Sequence, residues 1–485
     1  MGTALHVPVK FAIYPVNDAI IYKLTEKKGS TVMNNQLKEK YGLITAIAMV
    51  VGIVIGSGVF FKAEKVLDAT GGNLPFGILA WGIGGVIMMI CAYTFSVLAT
   101  RYSHVNGLVD YAEATVGRGY AYLVGWFSTF IYYPAMTSVL AWVSARYFCV
   151  ILGWDITGGP CMVVTCLFLV GSYTVNALSP VLAGKFQVAT TVIKLIPLYL
   201  MAIVGTVVGL CNGMTVENFT SVVSRDISTG NALFTAVVAT AFAYEGWIIA
   251  TSINAELKNA KRNLPIALLA GSTIIVLTYI LYYVGLAGGV GNEEMMKSGE
   301  AGAQLAFGNV FGKIGGTTLF VFVVISCLGT LNGLMLASTR GMYAIAARKN
   351  GPRPALFEDV SAHTNMPANS SVVGLLMCAL WLTYFYGANL VEKPWFGPVV
   401  FDSSELPIVT IYAIYMPIML RMMVKEKSLH PVKRFLFPIL TLLCCLFMIF
   451  AAVIAHGMGV VWYLLVFACI MAISVFFYKK EKKTV

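Results

Sequence analysis

Residues 242–247 read Phe-Ala-Tyr-Glu-Gly-Trp, inside the run "ALFTAVVATAFAYEGWIIATSIN" (232–254). The flanking apolar residues are numerous enough to cross a bilayer, so Glu245 and Gly246 fall near the middle of a span. A carboxylate there costs about 2.5–3.5 kcal/mol on insertion scales. The glycine beside it weakens the helix that carries it. A second run, "VVGIVIGSGVFF" (50–61), gathers Gly52, Gly56 and Gly58 around Ser57. One interrupted apolar segment in each half of a chain is the pattern that points to a transporter's binding site.

The rest of the chain agrees with a membrane setting. Of 485 residues, 58% are hydrophobic and 11% charged, against about 25% charged in soluble domains. Apolar stretches of spanning length recur near 41–61, 75–99, 120–150, 160–178, 186–210, 232–254, 264–290, 316–346, 370–390, 399–420, 435–455 and 459–478. The expectation is an all-α integral membrane protein of twelve transmembrane helices, with no separate soluble domain. With both termini cytoplasmic, 25 Lys and Arg fall on the inner side and seven on the outer: Lys62, Lys65, Arg146, Arg225, Lys297, Lys313 and Lys393. That asymmetry satisfies the positive-inside rule and explains the net charge of +11 without nucleic-acid binding. A cell-membrane, multi-pass location follows.

Most of the ten cysteines lie within or beside apolar runs, and none shows metal-ligand spacing. The histidines (6, 104, 363, 430 and 456) fall outside the mid-membrane zone. No cofactor and no metal are expected. Residues 1–35 read as a cytoplasmic tail and 479–485 as a basic one. Two readings of residues 1–32 stay open: an ordinary flexible or interfacial tail, or a mis-assigned start. The codons of Lys27-Lys28-Gly29 would supply a purine run shortly before Met33, which suits translation beginning there.

Breaking a helix inside a membrane creates chemistry without charged side chains. Unpaired amides opening the second half-helix favour a carboxylate, and unpaired carbonyls closing the first favour an ammonium. A free amino acid carries both groups on adjacent carbons. The plainer reading of the Gly-Ser-Gly is close helix packing by small residues.

The blocks "GIVIGSGVF" (52–60), "FAYEGW" (242–247) and "AELKNAKRNLPIAL" (255–268) resemble those of the amino acid–polyamine–organocation superfamily. The best likeness is to its L-type amino acid transporter branch, particularly bacterial serine/threonine-exchanger-like members. "TVIKLIPLYLMAIVG" (191–205), "LNGLMLASTRGMYAIAARKNGPRP" (331–354) and "QLKEKYGLITAI" (36–47) extend the resemblance over residues 36 to 480. It implies a LeuT-like fold, a 5+5 inverted repeat plus two C-terminal helices, with helices 1 and 6 unwound. The repeats would run over about 41–210 and 232–420, and the extra helices over about 435–478. By position, Ser57 and Gly58 would offer amides to the substrate carboxylate, with Gly56, Gly58 and Gly246 as the helix-break glycines. The carbonyls of Val54, Phe242 and Glu245 would receive the amino group. Phe242 would close over the substrate as a gate, and Tyr133, in "FIYYPAMTS" (130–138), would line the opposite wall. Animal relatives of this family place a partner-bridging cysteine in the loop before Cys161; here Cys161 adjoins the helix, and no obligatory protein partner is evident.

Lys194 is the one basic residue deep in a predicted span, and an intramembrane charge is a functional candidate by default. The resemblance implies that its ammonium replaces a coupling sodium, with Thr330 and span-eight carbonyls as possible partners. The expectation is therefore sodium-independent transport, by exchange or, in a second reading, by proton symport. Glu245 can hold a substrate ammonium or side-chain cation, bond a small hydroxyl, or pair with another span. Small neutral, hydroxylated and cationic amino acids all remain open. Glu256, Lys258, Lys261, Arg262 and Arg340 read as inner-gate pairs or as solvated inner-face charges. A membrane enzyme would need a nucleophile with its base, a metal cluster or a phosphate loop, and the sequence offers none. A transporter-like sensor would bind an amino acid without moving it.

Overall fold

The computed structural model describes residues 42–102, 107–221, 223, 229–251, 257–361, 364 and 366–478. The N-terminal tail, the Met33 start, Glu256 and the C-terminal tail 479–485 lie outside the described residues. Among the described residues, helices joined by short connections make up the body. Helix α1 (Leu43–Val54) and α2 (Gly58–Ala69) form a pair bent by 48°. They are followed by α3 (Leu74–Ala99), α4 (Arg118–Leu152), α5 (Gly159–Leu178) and α6 (Leu182–Cys211). Next come α7 (Thr229–Tyr244) and the single turn α8 (Trp247–Ala250), separated by Glu245 and Gly246. Helices α9 (Ala260–Gly289), α10 (Glu300–Ala346), α11 (Ala368–Asn389), α12 (Leu406–Lys425), α13 (Val432–His456) and α14 (Met458–Phe477) complete the body. Among the described residues, ten helices can cross a membrane by length and composition, and the bent pair α1–α2 makes an eleventh candidate. The sequence expects a loop before residue 316, but α10 begins at Glu300 and turns at Gly312.

Small residues set the spacing of several helices. A methyl group on Gly285 would lie 2.1 Å from the Met201 carbonyl, and one on Gly288 would lie 2.2 Å from that of Gly205. Helices α6 and α9 thus meet backbone to backbone, the packing that small residues allow in lipid. Of the spanning candidates, α14 is the least buried.

Inside α4, residues Ser128–Tyr132 form a π-turn directly before Pro134. Proline has no N–H, so an α-helical bond to the Phe130 carbonyl cannot form. The Trp381 indole donates to that carbonyl instead, at 2.9 Å. The widened turn presents two consecutive side chains, Tyr132 and Tyr133, to one cavity.

Candidate functional site

The polar constraints begin where the helices stop. Helix α1 ends at Val54, and Ile55, Gly56 and Ser57 carry the chain into α2. The Ser57 amide donates to the Thr330 hydroxyl of α10 at 3.2 Å. Gly58 opens α2, so its amide has no acceptor within that helix. A methyl on Gly58 would sit 2.5 Å from the Ala243 Cα, which brings the two interrupted segments into direct contact. At the second interruption Gly246 has φ +104°, a conformation that side-chain-bearing residues rarely adopt.

Two side chains from other helices hold these ends. Lys194, buried on α6, donates to the Gly52 carbonyl at 2.7 Å. The Tyr279 hydroxyl of α9 lies 3.0 Å from the Ala243 carbonyl and 3.4 Å from that of Val54. One phenol therefore touches the last turn of both broken helices. Sequence reasoning missed Tyr279, because a tyrosine within an apolar run carries no spacing signal. Its polar tip, which needs a partner when buried, was the one available hint.

Between the interruptions lies a cavity of about 630 Å³, within the roughly 300–1,000 Å³ common for small-molecule sites. Its wall includes every candidate residue: Val54, Gly56, Ser57, Gly58, Tyr133, Lys194, Phe242, Glu245 and Gly246. Tyr132 and Gln187, not among the site residues predicted from sequence, also line it, as does Thr330, expected beside Lys194 but bonded to the Ser57 amide, while Lys194 bonds Gly52. The Glu245 carboxyl is half-buried beside Tyr132, and its Oε1 has no hydrogen-bond partner among the described residues. Among those residues, no three His, Cys, Asp or Glu side chains group as a metal site would require.

The cavity runs along α1 to Thr45 and Ala48, but the α2 side is closed. There Phe242 is 9% exposed, and the Lys62 ammonium lies 5.4 Å from its ring. Lys62 is wholly buried and donates to Glu405 at 2.5 Å and to Ser404 at 3.3 Å. His456 Nε2 lies 3.1 Å from the other Glu405 oxygen. Burial pushes the Glu405 carboxyl up, but Lys62 and His456 outweigh it and hold it well below the usual carboxylate range.

Lys62 and Arg146, counted with the outer-side charges, are both buried. Glu405 stabilises Lys62 in its site, and Arg146 lies over the Trp142 ring at 4.4 Å. Of the inner-face charges, Arg340 donates to the Met366 sulfur at 3.7 Å. A different inner-face network joins Arg348 to Asp110 at 2.6 Å and to Glu113 at 3.5 Å.

The amino acid permease family profile matches residues 41–476. The serine/threonine exchanger SteT of Bacillus subtilis (strain 168) is 32% identical over 319 residues, covering 66% of this chain and 70% of that protein. The human b(0,+)-type amino acid transporter 1 is 27% identical over 415 residues, 79% of this chain and 83% of its own. The large neutral amino acids transporter small subunit 2 of Oryctolagus cuniculus is 26% identical over 342 residues, 68% and 62% of the two chains. These relatives are transporters and exchangers, not enzymes. With the match spanning the helical body and the two interruptions within it, this multi-pass membrane protein belongs to the amino acid permease family.

Proposed function

We propose that the chain is a sodium-independent exchanger of small neutral amino acids such as serine, threonine or alanine, working by alternating access in the cell membrane. The observation that carries this reading is the shared cavity: both interruptions and Lys194 border one space of amino-acid size. In the mechanism, the substrate carboxylate approaches the amide of Gly58 and the start of α2. Its ammonium approaches the carbonyls at Val54, Phe242 and Glu245. Phe242 covers the site from the outside. The ammonium of Lys194 takes the place of a coupling cation by bracing Gly52, which supports sodium independence. The similarity to a serine/threonine exchanger supports the substrate class and the exchange mode.

The proposed topology has twelve spans, the sixth being α7 with α8 and the first α1 with α2. The first repeat covers about 41–210, the second about 232–420, and the two extra helices about 435–478. Charge asymmetry supports cytoplasmic termini. In that orientation the present conformation opens its cavity inward and is closed at Lys62 and Glu405. We further propose that no covalently bridged partner is obligatory, a reading supported by the complete burial of Cys161.

Glu245 favours a second reading, antiport of cationic amino acids or polyamines, because its Oε1 is unpartnered beside the cavity. Proton-coupled symport is the remaining alternative for coupling. Counterflow in proteoliposomes separates these. Labelled serine should enter vesicles only when unlabelled amino acid is inside, and replacing sodium by potassium should change nothing. Accumulation in empty vesicles under an inward proton gradient would replace exchange by symport. Arginine outcompeting serine would establish the cationic reading. Binding without movement of label would make the chain a sensor.

A further inference from the structure

A second cavity, of about 620 Å³, lies away from the transport site where α3 ends, α9 begins and the α12–α13 connection passes. Three cations border it: Arg101, Lys261 and Lys433. A single carboxylate faces them, Glu426, which is already engaged by Arg101 and the Tyr102 hydroxyl. Arg101 also donates to the Ser428 hydroxyl. Lys261 and Lys433 are exposed and have no acceptor among the described residues. Among the described residues the cavity therefore holds a guanidinium paired with Glu426 and two ammonium groups without an acceptor, an excess of positive charge over the one carboxylate.

Its remaining wall is apolar: Tyr93, Val97, Pro265 and Leu429. The Tyr93 ring packs on Phe437 at 4.2 Å, and the neighbouring Val432, Phe435 and Leu436 of α13 are exposed apolar residues. Such a helix surface faces acyl chains. A ligand matching both halves has an anionic head and an apolar body. Basic pockets between membrane helices have the electrostatics to hold phosphate head groups.

We propose that this cavity binds the phosphate of an anionic membrane lipid. Lys261 and Lys433 contact the phosphate oxygens, Arg101 is the fixed third cation, and the acyl stem lies along Val97 and Pro265. The occupant thereby links α9, the helix that carries Tyr279, to α3 and α13. Only the leaflet, the inner one, rests on the orientation proposed above; the site itself does not depend on transport.

Native mass spectrometry of the full chain tests this. The purified protein is offered phosphatidylglycerol, phosphatidylcholine or inorganic phosphate. Phosphatidylglycerol should be retained over phosphatidylcholine, and Lys261→Gln with Lys433→Gln should weaken its retention by on the order of tenfold or more. Lys427→Gln removes one charge from the α12–α13 connection but does not border the cavity, and should retain the lipid as wild type does. Both altered lysines are exposed, so the variants should fold normally. Unchanged phosphatidylglycerol retention in the double variant would overturn the proposal. Equal loss in Lys427→Gln would reduce it to bulk surface charge, and inorganic phosphate displacing the lipid completely would exclude a lipid-specific site.

Discussion

At the first interruption, Ile55–Ser57, no residue is charged, and neighbouring helices secure the polar backbone. Lys194 takes the Gly52 carbonyl, Thr330 accepts from the Ser57 amide, and Tyr279 lies within reach of Val54. The second interruption, Glu245–Gly246, carries a carboxylate, one oxygen of which has no partner among the described residues. The Tyr279 hydroxyl bonds the end of α7 at the Ala243 carbonyl. The first break is therefore a braced frame, and the second an unfilled polar site. Bracing suits recognition of the amino and carboxylate groups that all substrates share. A carboxylate with one oxygen still free of partners among the described residues suits discrimination among their side chains.

The braced frame should be the less tolerant of the two. Gly58→Ala should abolish transport, because its methyl would stand 2.5 Å from backbone at Ala243, which cannot rotate away. Overpacking of this kind costs about 1–3 kcal/mol even where the surroundings relax. Gly82→Ala, whose methyl meets nothing within 4 Å, should transport normally. Uptake in proteoliposomes compares them, and equal activity would remove Gly58 from the frame. Next in size, Lys194→Ala should lower uptake at least tenfold while the protein remains folded. It leaves the Gly52 carbonyl without its donor, a penalty of about 1–3 kcal/mol for a buried group. Normal uptake by that variant would contradict a bracing role.

The unfilled site should respond in selectivity more than in rate. Glu245→Gln keeps the side-chain shape and removes the charge. Relative uptake of serine, alanine, leucine and arginine should shift severalfold, with arginine losing most if the carboxylate meets cations. An unchanged profile, even at a lower overall rate, would assign Glu245 to structure and erase the contrast between the breaks.

How far the sequence carried this picture follows the same division. Gly56, Gly58 and Gly246 mark their breaks locally, since glycine clusters in apolar runs are visible without knowledge of any neighbour. Lys194 is legible because charge in such a run is rare. Which backbone group each brace holds is not legible, because that depends on a contact distant in the chain: Thr330, expected beside Lys194, bonds Ser57, 273 residues away. The burial of Lys62 is hidden for the same reason, its carboxylate partner being 343 residues further on. Tyr132 joins Tyr133 in the cavity through the π-turn before Pro134, which periodicity at 3.6 residues cannot anticipate.

The smallest effect is expected at Tyr279, the group common to both breaks. Tyr279→Phe removes a single buried hydroxyl and should cost about 1–2 kcal/mol of stability, typical of a lost hydrogen bond with acceptors left behind. Uptake should fall a few-fold with its amino acid profile unchanged, since the phenol holds backbone and not substrate. Its coupling to Lys194 sharpens the test. Both residues brace the last turn of α1, at Gly52 and Val54. Residues that restrain one backbone segment are non-additive by about 0.5–3 kcal/mol, so thermal unfolding of Tyr279→Phe, Lys194→Ala and their combination should show that excess or deficit. Tyr279→Phe and Glu245→Gln share only the second break and should add. A substrate profile altered by Tyr279→Phe, or strict additivity with Lys194→Ala, would mean that the two breaks are not held as one frame.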